Sequence, residues 1–117
     1  MTTVESLLAK PREQQTLERI REIMAFCETF PDVQRYTTQH HIVYKTTRAF
    51  AFIYPQQHQF WADVLRKGVA DPHHLLKHNH PVFGHIEIPN DLNLEDVKDL
   101  IRRSYNATMA QLTLGAN

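Results

Sequence analysis

Apolar residues recur with period two through the middle of the chain and with helical period toward its two ends. The pattern is densest in Arg48–Pro55, reading RAFAFIYP, where both alternate sets are apolar. Phe50, Phe52 and Tyr54 form one set; Ala49, Ala51 and Ile53 form the other. Consecutive strand side chains point to opposite faces, so this segment reads as a central strand of a sheet. The ring-bearing side is expected to lie under helices, and the flatter side to stay open for a close contact. Pro55 removes a ladder donor and ends the strand.

The flanking segments supply the other elements. Thr2 and Glu5 have capping-box spacing, which predicts a short helix from Thr3 to about Leu8. Pro11 is placed to open a second helix running to about Thr29. Leu17, Ile20, Met24 and Cys27, with Ile23 and Phe30 beside them, form its apolar stripe. Val33–Thr38 and His41–Thr46 read as strands around a turn at Gln39–His40, with Ile42 and Tyr44 facing one way and Val43 and Lys45 the other. Loops this short join antiparallel neighbours. The periodicity of His58–Lys67 fits a helix and a strand equally. Asp71–Pro72 is expected to start a short helical turn reaching about Lys77. Gly84–Ile88 reads as a strand with Ile86 and Ile88 inward and His85 and Glu87 outward. Asn93 caps a last helix from Leu94 to about Gln111, whose inner stripe is Val97, Ile101, Ser104, Tyr105 and Thr108.

No linker, repeat or low-complexity tract divides the chain, so residues 1–117 are read as a single α+β domain. The expected fold is a sheet of about five mainly antiparallel strands, with N-terminal and C-terminal helices packed on one face.

Charge narrows the function classes. Thirteen basic and thirteen acidic residues balance, which argues against broad charge-driven binding to nucleic acid or membrane. No apolar run is long enough to span a bilayer, and MTTVESLLAKP lacks the basic-then-apolar order of a secretory leader. The single cysteine, Cys27, excludes an internal disulfide, suits a cytoplasmic protein and is expected as a buried packing thiol. Only three glycines and two serines are present, none in a phosphate-cradling loop or a nucleophile elbow, so no enzyme is expected.

Several short pieces match a known pattern: HIVYKTT, FAFIYP, Asp71–Pro72 with Leu75, Gly84–His85 entering an Ile/Glu-alternating strand, and LIRRSY at Leu100–Tyr105. Over about residues 33–108 the chain resembles a small bacterial domain of unknown function, often labelled a predicted transport protein. More distantly, it is similar to the MmcQ/YjbR-type α+β domains. The resemblance implies that His58–Lys67 is a strand of the sheet. It brings no catalytic motif. It also implies an accessory role beside DNA-processing proteins, since such modules are appended to them.

Three groups of residues are candidates for function. The first is the open sheet face, to which alternation assigns Arg35, Lys45, Ala51, Trp61, Asp63, His85 and Glu87. An aromatic among mixed charges suits a ligand site or an interface, and the leading expectation is a non-catalytic binding module, a homodimer through this face. Asp63, His85 and Glu87 would form an acid–base group if they converged. The second is a nucleic-acid contact from Arg48, Arg66, Lys67, Arg102 and Arg103. The third is the cluster His73, His74, His78 and His80. On a helix, His74 and His78 would share a face and, with His80, could hold a zinc ion.

Overall fold

The computed structural model describes residues 2–77 and 80–115. Helices α1 (Val4–Leu8) and α2 (Gln14–Cys27) precede strands β1 (Gln34–Thr37), β2 (Ile42–Lys45), β3 (Ala49–Pro55), β4 (Phe60–Leu65) and β5 (Phe83–Ile88), and α3 (Leu94–Gly115) follows. The strands lie in chain order, β1-β2-β3-β4-β5, and every neighbouring pair is antiparallel. The fold is therefore the expected α+β type, and the ambiguous segment 58–67 contributes β4. Three aromatic or β-branched residues and a small alanine let that segment pair along both edges.

One side of the sheet carries the main core. Ile20, Ile23, Met24 and Cys27 of α2 and Val97, Leu100, Ile101 and Tyr105 of α3 pack on Ile42, Tyr44, Ala51, Ile53, Phe60, Ala62, Val64, Ile86 and Ile88. Cys27 is fully buried, and burial holds its thiol far above its ordinary pKa, which suits a packing role.

The faces of β3 depart from strict alternation. Tyr44 pairs with Ala51 while Lys45 pairs with Ala49, so Phe50 is an extra residue, a β-bulge. The bulge changes the phase of the strand. Phe50 lies under the helices, edge-on to Phe30 and Tyr105, and Ala51 and Ile53 also face the core. Phe52 and Tyr54 turn to the opposite side, where they are half-buried. The expectation that Phe50, Phe52 and Tyr54 share a face is thus corrected, because alternation counts residues and cannot register one that the ladder skips.

Helix starts and one turn also differ from expectation. The first cap is Thr3 with Ser6, one position beyond Thr2 and Glu5. Helix α2 begins after Pro11 and Arg12 because this connector is tied to the β3–β4 hairpin: Arg12 Nη1 donates to Gln56 O at 2.7 Å and Glu13 N to Gln57 O at 3.0 Å. The segment after Asp71 is a turn followed by extended chain rather than a helix. The Asp71 carboxylate accepts from Leu75 N and Leu76 N, His74 has φ +55°, and Lys77 bridges to His85 at the free edge of β5. An aspartate that bonds the backbone ahead of it competes with helix formation.

Candidate binding surface

The side of the sheet away from α2 and α3 is built from cross-strand rows. One row runs Tyr36, Val43, Phe52, Asp63, His85; the next runs Tyr54, Trp61, Glu87. Beyond them lie Lys45 and the pair Leu65–Phe83. Val43 and Leu65 are buried yet stand outside the main core cluster, which marks a second, thinner apolar layer on this side.

Rings hold that layer together. His41 stacks on Tyr54 with centroids 4.6 Å apart and tilts against Phe52 at 5.4 Å. Phe52 meets Phe83 edge-on at 5.1 Å, and Trp61 meets His85 edge-on at 5.4 Å. Tyr36 is the exposed large hydrophobic residue among those described, with the Lys45 ammonium 5.9 Å from its ring centre.

Asp63 is the polar hub of the face. Its Oδ1 lies 2.7 Å from His85 Nδ1, and its Oδ2 accepts from the Tyr54 hydroxyl at 3.2 Å. Burial, the Asp63 charge and that hydrogen bond push the Tyr54 phenol up to about 12. Burial pulls the His41 pKa down, partly opposed by Asp63. Glu87 does not join Asp63 and His85. It turns to Lys77 at 2.7 Å, whose hydrogen bond and charge lower its pKa, so the three-residue acid–base group does not form.

Of the expected open-face residues, Lys45, Trp61, Asp63, His85 and Glu87 lie on this side and two do not. Arg35 pairs with Tyr44 in register and bonds Glu28, the C-cap of α2, at 3.0 Å, so it sits on the helix side. Ala51 is buried in the core. Both misplacements have a physical source: Arg35 finds its counter-ion at the end of α2, and Ala51 follows the Phe50 bulge.

Of the basic residues proposed for nucleic acid, Arg102 and Arg103 engage different neighbours. Adjacent helix residues diverge by about 100°, and accordingly Arg102 leans over the Phe26 ring at 5.3 Å while Arg103 pairs with Asp99 at 2.8 Å. Arg48 lies in the β2–β3 turn, and Arg66 and Lys67 follow β4. Arg66 donates to Pro81 O.

The expected histidine cluster does not form among the described residues. His73 approaches Asp96 and Asp99 of α3 at 3.6 and 3.9 Å. His74 is not helical, so the spacing that would align it with His78 has no helix to act through; His78 itself lies outside the described residues. His80 Nδ1 accepts from Val82 N and Phe83 N. Among the described residues, no three His, Cys, Asp or Glu side chains are grouped as a metal ion requires.

At one end of the open face the rings run into a cleft of about 510 Å³ that periodicity did not reveal. Tyr54, Pro55 and Trp61 form its wall; Lys10, Pro11 and Arg12 of the α1–α2 connector and His40 of the β1–β2 turn form its rim. A connector has no repeat to read, and the sequence-distant bonds from Arg12 to Gln56 and from Glu13 to Gln57 place it here.

No protein-family model and no curated protein matches the chain. Among the described residues, no helix is long and apolar enough to cross a membrane.

Proposed function

We propose that this protein is a non-catalytic binding module that works through the helix-free face of its sheet, and that the partner seated there is a second copy of the chain. The observation that supports this reading is the band of Tyr36, Phe52, Tyr54, Trp61 and Phe83 on a side that neither α2 nor α3 covers. Aromatic side chains are enriched in protein interfaces, and each Å² of apolar surface removed from water contributes about 25 cal/mol. A two-fold contact uses one patch twice, so the patch must complement itself. Lys45 and Glu87 stand on different strands at opposite ends of the face, which lets a two-fold axis in the contact plane bring the cation of one copy to the carboxylate of the other.

Sedimentation equilibrium from low to high micromolar concentration tests the reading. A concentration-dependent dimer is expected, weakened about tenfold or more by Tyr36→Glu, which places a charge in the contact at a cost above 1.4 kcal/mol. Tyr36 is exposed, so the variant folds. A single monomeric species across the whole range overturns the reading.

A further inference from the structure

The cleft at the end of the open face has a lopsided chemistry. Its lining brings together Lys10, Arg12 and His40, and among the described residues no carboxylate lines it. The acid next to Arg12 in sequence is engaged elsewhere: Glu13 Oε1 lies 2.8 Å from His58 Nδ1, and its Oε2 accepts from Asn90 at 3.0 Å. Asp63, which holds the lining residue Tyr54, has both oxygens occupied. The Arg12 guanidinium is positioned by two backbone carbonyls, Gln56 O and Leu7 O, and neither supplies a negative charge. Those bonds use two of the five N–H groups of an arginine. Arg12 Nε and Trp61 Nε1 are buried donors with no hydrogen-bond partner. Burial lowers the Arg12 pKa, the direction expected of a desolvated cation without a counter-charge.

The remaining lining is mainly apolar, Trp61, Tyr54, Pro55, Pro11 and Leu7, with Gln56 and Gln57 beside it. The volume, about 510 Å³, lies within the range of small-molecule sites, which pair an apolar wall with a few polar groups that set orientation. We propose that this cleft binds a small organic carboxylate with a flat apolar body. The carboxylate meets Arg12 and Lys10, and the body lies against Trp61, Tyr54 and Pro55. A guanidinium held rigidly by carbonyls is preorganised for a planar anion. The proposal goes beyond self-association: the cleft is lined within one chain, and it shares Tyr54 and Trp61 with the proposed contact.

Trp61 is the only tryptophan, so its emission reports on the cleft wall. The experiment titrates phenylacetate, its neutral amide phenylacetamide, and inorganic phosphate into low-micromolar protein. Phenylacetate is expected to give a saturable change in emission, with phenylacetamide and phosphate each about tenfold weaker or more. Lys10→Gln and Arg12→Gln are each expected to weaken phenylacetate about tenfold while leaving phenylacetamide unchanged. Lys10 is exposed and makes the decision if Arg12→Gln fails to fold. Equal binding of acid and amide, no saturation by tens of millimolar phenylacetate, or phenylacetate binding unchanged in Lys10→Gln would overturn the proposal. Phosphate binding as tightly as phenylacetate would overturn it too, leaving a bare anion site. Sedimentation with and without phenylacetate separates these outcomes from dimerisation.

Discussion

The Ser104 hydroxyl donates to Phe50 O at 2.6 Å and accepts from Leu65 N at 2.9 Å, joining α3 to two strands at the bulge. Gln56 N donates to Gln59 O in the β3–β4 turn, so hydrogen-bonded pairs in this ladder alternate from there. Counting back along the register, Phe50 and Leu65 would be the next such pair after Phe52 and Asp63. The hydroxyl takes the place of that missing ladder bond and satisfies both groups in a fully buried setting.

Ser104→Ala is therefore expected to leave a buried carbonyl and a buried N–H without partners. Each unsatisfied group costs about 1–3 kcal/mol, so a loss of about 2 kcal/mol or more is expected in urea denaturation. A loss below about 0.5 kcal/mol would mean that the strands close on each other without the hydroxyl.

Tyr44 and Glu28 set an alkaline limit on stability. The Tyr44 hydroxyl donates to Glu28 Oε2 at 2.6 Å, beside Arg35. Burial first, then Glu28, raises the phenol above its ordinary value of 10.0. A group whose pKa is raised by folding stabilises the native state below the unfolded value, and that contribution is lost as pH rises past it. Stability is thus expected to fall above pH 10, and Tyr44→Phe to remove part of that fall. At neutral pH the same substitution costs about 1–2 kcal/mol through the lost charge-assisted bond. Thermal melts at neutral and alkaline pH check both.

His41 acts at the acid end. It stacks on Tyr54, lies 2.7 Å from the Thr38 hydroxyl through Nδ1, and is held below its ordinary pKa of 6.5 by burial. Here the unfolded chain takes up the proton first, so the contribution is present above 6.5 and is lost as pH falls through the lower folded-state value. His41→Gln is expected to flatten the decline in melting temperature on the acid side. An unchanged slope would show that other groups carry it.

Gly84 and Leu76 are coupled sterically. A Cβ on Gly84 would stand 2.7 Å from Leu76 Cδ2, so Gly84→Ala presses the post-Asp71 loop away from β5. Overpacking of this kind costs about 1–3 kcal/mol, at the low end where a flexible side-chain tip can yield. Leu76→Val made together with Gly84→Ala is expected to cost less than the two single losses added, by about 0.5 kcal/mol or more. Strict additivity would show that the two positions do not meet.

Much of the fold was legible as pattern. The inward set Ile42, Tyr44, Ile86 and Ile88, the α2 stripe from Ile20 to Cys27 and the inner side of α3 lie where local periodicity puts them, whereas at the start of α2 Thr16 is buried instead of Leu17. These positions are legible because burial acts on each element through its own repeat, which neighbours in sequence already display. Lys45, Trp61, Asp63, His85 and Glu87 were assigned to the open face on the same grounds, and they lie there.

The sequence by itself determined most element types, the short antiparallel connections and the α+β class, and left 58–67 open between helix and strand. Tertiary structure alone decided the phase of β3, the turn after Asp71 and the existence of the basic cleft. Each depends on groups far apart in the chain: Ser104 reaches Phe50 across 54 positions, and Arg12 reaches Gln56 across 44. A period reports which side of its own element a residue prefers. It carries no record of the distant hydroxyl that accommodates a bulge, or of the distant carbonyl that brings a cation beside a tryptophan.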